Sequence, residues 1–237
     1  MMDAPRPPAW PKACLFDLDG TLIDSLPDLA DALDGFFGAE GHPPLGATRI
    51  ATMIGRGVEN LVQRGYAAHG LEVDGPALAE RAQAFRAVYE PRATRLTTLF
   101  PHVLETVERL ARFGVAMAVC TNKPTAVSRE IVAHFGLSAH LPVVVGGDFG
   151  PPKKPAPDLV LAALAGLGVA AADALFVGDS AADVGAARAA GVRVVVVPYG
   201  YTPVAAADLG ADMVIDDFRA LPALFGTVAA GSGRGAP

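Results

Sequence analysis

Residues 15–25 of the chain are Leu15-Phe16-Asp17-Leu18-Asp19-Gly20-Thr21-Leu22-Ile23-Asp24-Ser25. The apolar run from Ala13 to Phe16 has the character of a buried strand, and it leads into two carboxylates that are two residues apart. Side chains two apart on a strand point the same way, and Gly20 ends the strand. The stretch therefore predicts two neighbouring carboxylates at the carboxyl end of a strand, where open parallel sheets place their sites. Taken alone, it is equally compatible with a strand followed by an Asp-Gly turn.

Composition limits the class of protein. The chain has 237 residues, of which 51% are hydrophobic, enough for one α/β domain with or without an insertion. A net charge of −6 argues against a nucleic-acid-binding surface and does not support attraction to a membrane. The apolar run from Leu159 to Val177 is interrupted by Gly166, Gly168 and Asp173. We therefore expect a core helix, a turn and a buried strand there instead of a membrane span.

The two cysteines, Cys14 and Cys120, each lie inside an apolar strand-like run. Neither belongs to a pattern with the spacing of metal ligands or of a disulfide framework. They are expected to be buried free thiols, which fit a reducing, cytoplasmic location.

Helical spacing dominates from Leu26 to Arg95, and strand-like runs are missing there. Because this region is far longer than a single crossover needs, it predicts a helical insertion at residues 25–95. Elsewhere strands and helices alternate, which predicts a parallel sheet with helices on both faces, built from residues 13–24 and 96–226. The expected strands after the insertion are 115–120, 143–145, 174–177, 192–197 and 213–215. Residues 1–12 and 227–237 are predicted to be flexible.

Polar side chains follow several of these strands. Thr121 and Asn122 follow one strand, Asp179 follows another, and Lys154 stands at the start of a helix. In a doubly wound sheet these positions converge on one edge. Phosphoryl transfer needs an in-line nucleophile, a divalent metal and donors for the phosphoryl oxygens, and carboxylates with a few waters suit Mg²⁺. The residues that supply this set are Asp17, Asp19, Asp179, Thr121 and Lys154.

Each of these residues also has an ordinary structural interpretation. Thr121 or Asp179 could cap a helix, and Lys154 could be a solvated surface charge. Asp183 is equally suited to a plain helix face and to an indirect role at a metal. Asp24 and Ser25 are predicted to cap the first helix of the insertion.

The motifs, in this order and at these spacings, resemble those of the haloacid dehalogenase superfamily of phosphotransferases. They are Asp17-Leu18-Asp19-Gly20-Thr21, then Thr121, then Lys154-Pro155, then Gly178-Asp179-Ser180 with Asp183. The resemblance implies a Rossmann-like core whose helical insertion closes over the substrate as a cap.

The same resemblance implies the catalytic roles. Asp17 would be the nucleophile that forms an aspartyl-phosphate, and Asp19 the general acid and base. Asp17, the backbone carbonyl of Asp19, and Asp179 would hold Mg²⁺, while Thr121 and Lys154 would bind the transferring phosphoryl oxygens.

Shorter matches resemble the phosphoglycolate phosphatases within that superfamily. They are Ile54-Gly55-Arg56-Gly57, Thr121-Asn122-Lys123-Pro124, Lys154-Pro155-Ala156-Pro157 and Tyr199-Gly200-Tyr201. They imply a small phosphorylated metabolite, 2-phosphoglycolate, as substrate, with Asn122 and Arg56 joining Thr121 and Lys154 in binding it. The alternative interpretation of Arg56, which lies between Gly55 and Gly57, is an exposed turn residue. His102 departs from the pattern, because glycine is expected there.

Other functions remain open at this stage. A phosphosugar phosphatase or a phosphomutase of the same superfamily would share every core residue. A dehalogenase is disfavoured by Asp19, since no alkoxide would need a proton, and the complete carboxylate set disfavours a non-catalytic phosphate-binding protein. Whether the chain is a monomer or a homodimer is not determined by these patterns.

Overall fold

The strand that precedes Asp17 lies inside a six-stranded parallel sheet. The computed structural model describes residues 11–150 and 152–225. The strands in chain order are β1 (Ala13–Phe16), β2 (Ile23–Asp24), β3 (Thr98–Leu99), β4 (Ala116–Cys120), β5 (Val143–Val145), β6 (Ala174–Gly178), β7 (Arg193–Val196) and β8 (Met213–Val214). The α-helices are α1 (Leu26–Ala39), α2 (Ala47–Ala51), α3 (Val58–Ala68), α4 (Gly75–Tyr89), α5 (Val103–Arg112), α6 (Thr125–His134), α7 (Asp158–Leu167) and α8 (Ala181–Ala189).

The strand order across the sheet is β5-β4-β1-β6-β7-β8. Alternate residues of β1 face opposite sides: Ala13 and Leu15 pack with α7 and α8, whereas Cys14 and Phe16 pack with α5 and α6. Both faces are therefore covered, which is why the strands are almost uniformly apolar. The predicted α/β class, a Rossmann-like parallel sheet between two helical layers, is confirmed, and both cysteines are buried.

The long apolar run after Leu159 is confirmed as helix α7, a 3₁₀ turn and strand β6. Among the described residues, no helix has both the length and the apolar character needed to cross a bilayer. Two predicted boundaries are corrected. The sequence pattern predicts a helix from Asp183 to Ala190 and a last helix near Leu221. Helix α8 instead begins at Ala181, and the segment near Leu221 is a 3₁₀ helix that contains Pro222. Proline removes a helical hydrogen bond donor and clashes with the preceding turn.

Helices α1 to α4 form the helical insertion, between β2 and β3. Those two short strands pair antiparallel, with Ile23 opposite Leu99. Phe36 packs edge-on against Phe37 and Phe85, at centroid distances of 5.4 and 5.8 Å, in the middle of the insertion. Helix α2 was not expected from the sequence. Asp74-Gly75-Pro76 predicts a break between two helices of the insertion. Gly75 and Pro76 instead belong to the first turn of α4, where proline is well tolerated.

His102 occupies the position where the family pattern has glycine. Its φ is 67°, and among the described residues it is the non-glycine residue with positive φ. Glycine adopts this left-handed conformation without steric cost. The turn before α5 therefore has a backbone conformation that glycine adopts readily, although His102 stands there.

The predicted flexible segments lie outside the described residues except for Pro11 and Lys12. The amide of Lys12 donates to the carbonyl of Asp173 at 2.7 Å, and its ammonium pairs with the Asp173 carboxylate at 2.8 Å. The backbone is thus tied to the sheet just before β1.

Asp28, in the first turn of α1, connects the helical insertion to the chain that returns to the sheet. It is fully buried, and its Oδ2 accepts hydrogen bonds from the Leu96 amide, the Thr97 amide and the Thr97 hydroxyl at 2.8–2.9 Å. Because one carboxylate oxygen satisfies three donors that are away from water, the side chain is expected to stabilise the junction strongly.

We expect Asp28→Ala to lower the free energy of unfolding by about 2–4 kcal/mol, since it leaves buried donors unsatisfied. Asp31→Ala is the matched control on the same helix: its carboxylate is half exposed and pairs with Arg92 and Arg95. Exposed pairs contribute less than about 1 kcal/mol. Denaturant unfolding of both variants is the measurement, and equal losses would contradict the role given to Asp28.

Candidate active site

Three adjacent strand ends form the floor of the site. The amide of Asp17, just after β1, donates to the carbonyl of Val177 at 2.9 Å, and the amide of Thr121, just after β4, donates to Val145 at 3.0 Å. Asp179 follows β6, the other neighbour of β1. The strand register thus brings Asp17, Thr121 and Asp179 to one edge of the sheet.

The ammonium of Lys154 lies at the centre of this edge. Lys154 is 4% exposed, so the interpretation as a solvated lysine is wrong. Its Nζ lies 2.9 Å from Asp17 Oδ1 and 2.6 Å from Asp183 Oδ1, and it donates to the carbonyl of Cys120 at 3.0 Å. Burial alone disfavours the charge, but the two carboxylates outweigh it and raise the pKa of Lys154 above its ordinary range.

Asp183 pairs with Lys154 and also takes part in the cap at the start of helix α8. Its Oδ2 accepts hydrogen bonds from the Ser180 hydroxyl at 2.6 Å and from the amides of Ser180 and Asp179. Ser180 is the N-cap and forms a capping box with Asp183. The interpretation of Asp179 as the N-cap is therefore wrong, and its carboxylate is available for another role.

Asp17, Asp179 and Asp183 form a buried carboxylate cluster. Each offers an oxygen, and these oxygens all lie within 4.8 Å of one another. Three carboxylates face one ammonium, that of Lys154, which leaves an excess of negative charge away from water. Oxygen donors of this kind suit a hard cation such as Mg²⁺. The cluster therefore fits a divalent metal.

The surroundings of Asp179 are shaped to hold its carboxylate. The amide of Tyr201 donates to Oδ2 at 2.8 Å, and the Thr21 hydroxyl lies 3.4 Å from Oδ1. A Cβ atom on Gly20 would lie 2.6 Å from Asp179 Oδ2, and a Cβ atom on Gly200 would clash with the same carboxylate. Only glycine fits at these two positions, which explains the glycines in both motifs.

Burial and mutual repulsion shift the pKa values of the cluster. Burial raises the pKa of Asp17 to about 7, although Lys154 opposes the shift, and Asp183 and Asp19 add repulsion. Burial also raises the pKa of Asp179 well above its ordinary value, with further repulsion from Asp183 and Asp17. A bound cation would relieve both effects.

The carboxylate of Asp19 does not belong to the cluster. It accepts a hydrogen bond from the Ser25 hydroxyl at 2.6 Å and pairs with Lys123 Nζ at 2.9 and 3.2 Å. Ser25 stands at the predicted N-cap position of helix α1, but its hydroxyl donates to Asp19 and does not cap the helix. The predicted capping contact comes from Asp24, whose Oδ1 accepts a hydrogen bond from the Leu26 amide at 3.3 Å. The side chains of Asp17 and Asp19 thus have separate environments.

Lys123 was not identified from the sequence as a functional residue. It is 6% exposed, and its Nζ lies 2.6 Å from the hydroxyl of Tyr89, at the end of helix α4. The Asp19 carboxylate and the Tyr89 hydroxyl outweigh the opposing effect of burial and raise its pKa above the ordinary range. Its place directly after Thr121-Asn122, in the loop that follows β4, was the available signal.

Thr121 and Asn122 lie at the floor but differ in their contacts. Helix α6 begins at Thr125 after Pro124, so Thr121 does not cap it, and its hydroxyl accepts the amide of Lys123 at 3.2 Å. The side chain of Asn122 bonds the backbone of Lys154 twice and the carbonyl of Gly55 once, at 2.9–3.1 Å. Asn122 therefore joins the Lys154 loop to the helical insertion.

Two cavities lie between the sheet edge and the helical insertion. The inner cavity, about 40 Å³, is lined by Asp17, Asp19, Tyr89, Thr121, Asn122 and Lys123 together with apolar residues such as Leu29 and Leu61. The outer cavity, about 400 Å³, is lined by Arg56, Asn60 and Arg64 on one side and by Asp179 and Ser180 on the other. The side chain of Arg56 is exposed at this outer cavity.

Comparison with known proteins shows the family to which the chain belongs. The family model described as haloacid dehalogenase-like hydrolase matches residues 14–197. The chain belongs to the haloacid dehalogenase-like hydrolase family. Among curated relatives, the phosphoglycolate phosphatase of Rhodospirillum rubrum is 43% identical over 215 residues, which cover 89% of each chain. The phosphoglycolate phosphatase of Pectobacterium atrosepticum is 41% identical, and the match covers 91% of this chain and 92% of that one.

Solved structures of the same family have the same fold. A predicted phosphoglycolate phosphatase from Haemophilus somnus has a TM-score of 0.84 and 32% identity, over 90% of this chain and 97% of that one. CbbY from Rhodobacter sphaeroides, solved in complex with phosphate, has a TM-score of 0.76 and 27% identity, over 89% of this chain and 96% of that one. The chain is a phosphatase of the haloacid dehalogenase type, as the motifs predicted.

The raised pKa of Asp17 predicts how stability depends on pH without metal. In the folded state Asp17 keeps its proton up to about pH 7, whereas its ordinary pKa is 3.8. The folded state therefore binds more protons than the unfolded chain in this interval, and its stability falls as pH rises from about 4 to about 7. Asp17→Asn removes this contribution. We therefore expect the free energy of unfolding of Asp17→Asn minus that of the wild type, both measured in EDTA, to increase as pH rises from about 4 to about 7.

Thermal or denaturant unfolding at several pH values measures this difference. Added Mg²⁺ should stabilise the wild type more at pH 7 than at pH 4, and should stabilise Asp17→Asn less. Asp31→Asn controls for the loss of an exposed carboxylate. Parallel pH curves for the wild type and Asp17→Asn would contradict the electrostatic account of the cluster.

Proposed function

We propose that this protein is a Mg²⁺-dependent phosphomonoesterase that acts through an aspartyl-phosphate and hydrolyses 2-phosphoglycolate to glycolate and phosphate. The observation that supports the chemistry is the position of Asp17 at the end of β1, beside the ammonium of Lys154 and within the buried carboxylate cluster. The name shared by the curated relatives at about 40% identity supports the substrate.

In the first step an oxygen of Asp17 attacks phosphorus, and the bond between phosphorus and the ester oxygen breaks. Lys154 and Thr121 would donate to the phosphoryl oxygens, and the contact of 2.9 Å between Lys154 and Asp17 places the ammonium beside the nucleophile. Charge stabilisation of this kind is a main contribution of the protein in phosphoryl transfer.

Asp19 would protonate the leaving oxygen in the first step. In the second step it would accept a proton from the water that attacks phosphorus, and the bond to Asp17 breaks to release phosphate. Its carboxylate is held by Ser25 and Lys123, away from the cluster. Nucleophile and general acid are then kept apart, as two carboxylates with different tasks require.

Asp17, the backbone carbonyl of Asp19, and Asp179 would hold Mg²⁺, with Asp183 positioning Lys154 beside them. The metal would supply positive charge to the phosphoryl oxygens and offset the repulsion among the carboxylates.

The helical insertion, residues 25–95, would act as a cap over the core of residues 13–24 and 96–226. In this structure it contacts the core through Gly55 and Tyr89, which meet Asn122 and Lys123. The inner cavity has room for only a few water-sized groups. A substrate would therefore enter when cap and core separate, and closure would exclude water from the reaction.

The sequence-based assignment of Arg56 to the second anion of the substrate stays a prediction, with its guanidinium at the outer cavity. The two buried free thiols fit action on a small metabolite in the cytoplasm.

Phosphate release from a panel of phosphomonoesters with Mg²⁺ tests the proposal. We expect the highest kcat/KM for 2-phosphoglycolate and no release in EDTA. A higher kcat/KM for a sugar phosphate would favour a phosphosugar phosphatase, and isomerisation of a sugar 1-phosphate without release of phosphate would favour a phosphomutase. Full activity in EDTA after dialysis would contradict the metal requirement.

Asp17→Asn should reduce turnover below about 1% of wild type, because a neutral amide is a poor nucleophile and the loss of a covalent step costs several decades in rate. Asp31→Asn, on the exposed face of α1, is the control and should retain full turnover. Phosphate release in the steady state is the measurement. A larger residual activity in Asp17→Asn, with unchanged folding, would show that Asp17 is not the nucleophile.

A further inference from the structure

We propose that Lys123 is the specificity-determining cation of this enzyme: its ammonium binds the carboxylate of the substrate, and Tyr89 of the helical insertion holds it in place. This inference rests on the proposed function, since it takes the substrate to be a short phosphomonoester that carries a carboxylate.

Lys123 is positioned for this task by contacts from both sides of the inner cavity. Its Nζ lies 2.6 Å from the Tyr89 hydroxyl and 4.8 Å from the centre of that ring, and it reaches both oxygens of Asp19. A buried ammonium is costly unless it is paired. An ammonium has three donors, so one of the two contacts with Asp19 can be exchanged for an oxygen of the substrate.

Among the described residues that line the inner cavity, Lys123 carries the positive charge. Lys154 is not among the residues that line this cavity, and the proposed mechanism assigns its ammonium to the transferring phosphoryl group. The apolar part of the lining, which includes Leu29, cannot pair with an anion. A second anionic group on the substrate therefore has Lys123 as its partner in this cavity.

The chemistry of the substrate brings its carboxylate to the same place. In 2-phosphoglycolate a single methylene joins the carboxylate to the oxygen that leaves phosphorus. Asp19 faces that leaving oxygen in the proposed mechanism, and Lys123 contacts Asp19 at 2.9 Å. The carboxylate therefore falls beside Lys123, whereas Arg56 is exposed at the outer cavity.

The test compares 2-phosphoglycolate with 2-hydroxyethyl phosphate, which replaces the carboxylate by a neutral CH₂OH group and keeps an alkoxide leaving group. The measured quantity is the specificity ratio, kcat/KM for the first substrate divided by kcat/KM for the second. Effects that are common to both substrates, including changes at Asp19 or in the folded fraction, cancel in this ratio.

We expect Lys123→Met to lower the specificity ratio by about 10–100-fold, the loss of one charge-assisted interaction. Lys123→Arg, which keeps the charge, should retain most of the ratio and guards against a Met variant that folds poorly.

Tyr89→Phe, a change at a positioning residue, should lower the ratio by about 3–10-fold because only a hydroxyl is lost. Lys153→Met is the charge-matched control: Lys153 pairs with Glu59 at 3.3 Å, lines neither cavity, and should leave the ratio unchanged.

Two distinct results would overturn the proposal. If the wild type prefers 2-phosphoglycolate and Lys123→Met keeps that preference, the inference fails while the proposed function stands. If the specificity ratio falls in Arg56→Ala but not in Lys123→Met, the inference about Lys123 also fails, and the substrate carboxylate is assigned to Arg56. If the wild type does not distinguish the two substrates, the proposed substrate fails, and the role of Lys123 fails with it.

Discussion

The buried ammonium of Lys154 makes the rest of the site possible. Three carboxylates cannot share a water-free edge of a sheet without a compensating charge. Lys154 supplies that charge to Asp17 and Asp183 at 2.9 and 2.6 Å, and its third donor is satisfied by the Cys120 carbonyl. The side chain of Asn122 bonds both the amide and the carbonyl of Lys154. The position of the ammonium therefore depends on the loop after β4 as well as on the loop that carries Lys154.

The two carboxylates of the first motif differ because their neighbours differ. Asp17 faces Lys154 and the carboxylate cluster, whereas Asp19 faces Ser25 and Lys123. Separate partners hold the two carboxylates in different surroundings within one small volume, as the proposed nucleophile and general acid would require. The second environment contains Tyr89, so it is complete only when the helical insertion contacts the core.

Much of the fold was predictable from the sequence because the sheet is buried on both faces. Continuous apolar runs such as Ala116–Cys120 mark buried strands clearly, and alternation with helices indicates a parallel sheet. Shorter features were less predictable. Helix α2 has five residues and too little periodicity to be recognised, and helix α8 begins at Ala181 because of a cap at Ser180, a local hydrogen bond that hydrophobic periodicity does not report.

The sequence by itself determined the family, the α/β class and the carboxylates that meet at the sheet edge, because those residues follow strands directly and strand register carries them together. Only the tertiary structure decided which side chains pair. It placed Lys154 between Asp17 and Asp183, gave the hydroxyl of Ser25 to Asp19, and brought Lys123 to Tyr89 across the inner cavity. Long side chains on loops have no periodicity that encodes their direction, and their partners lie far away in the chain, so their roles follow from packing alone.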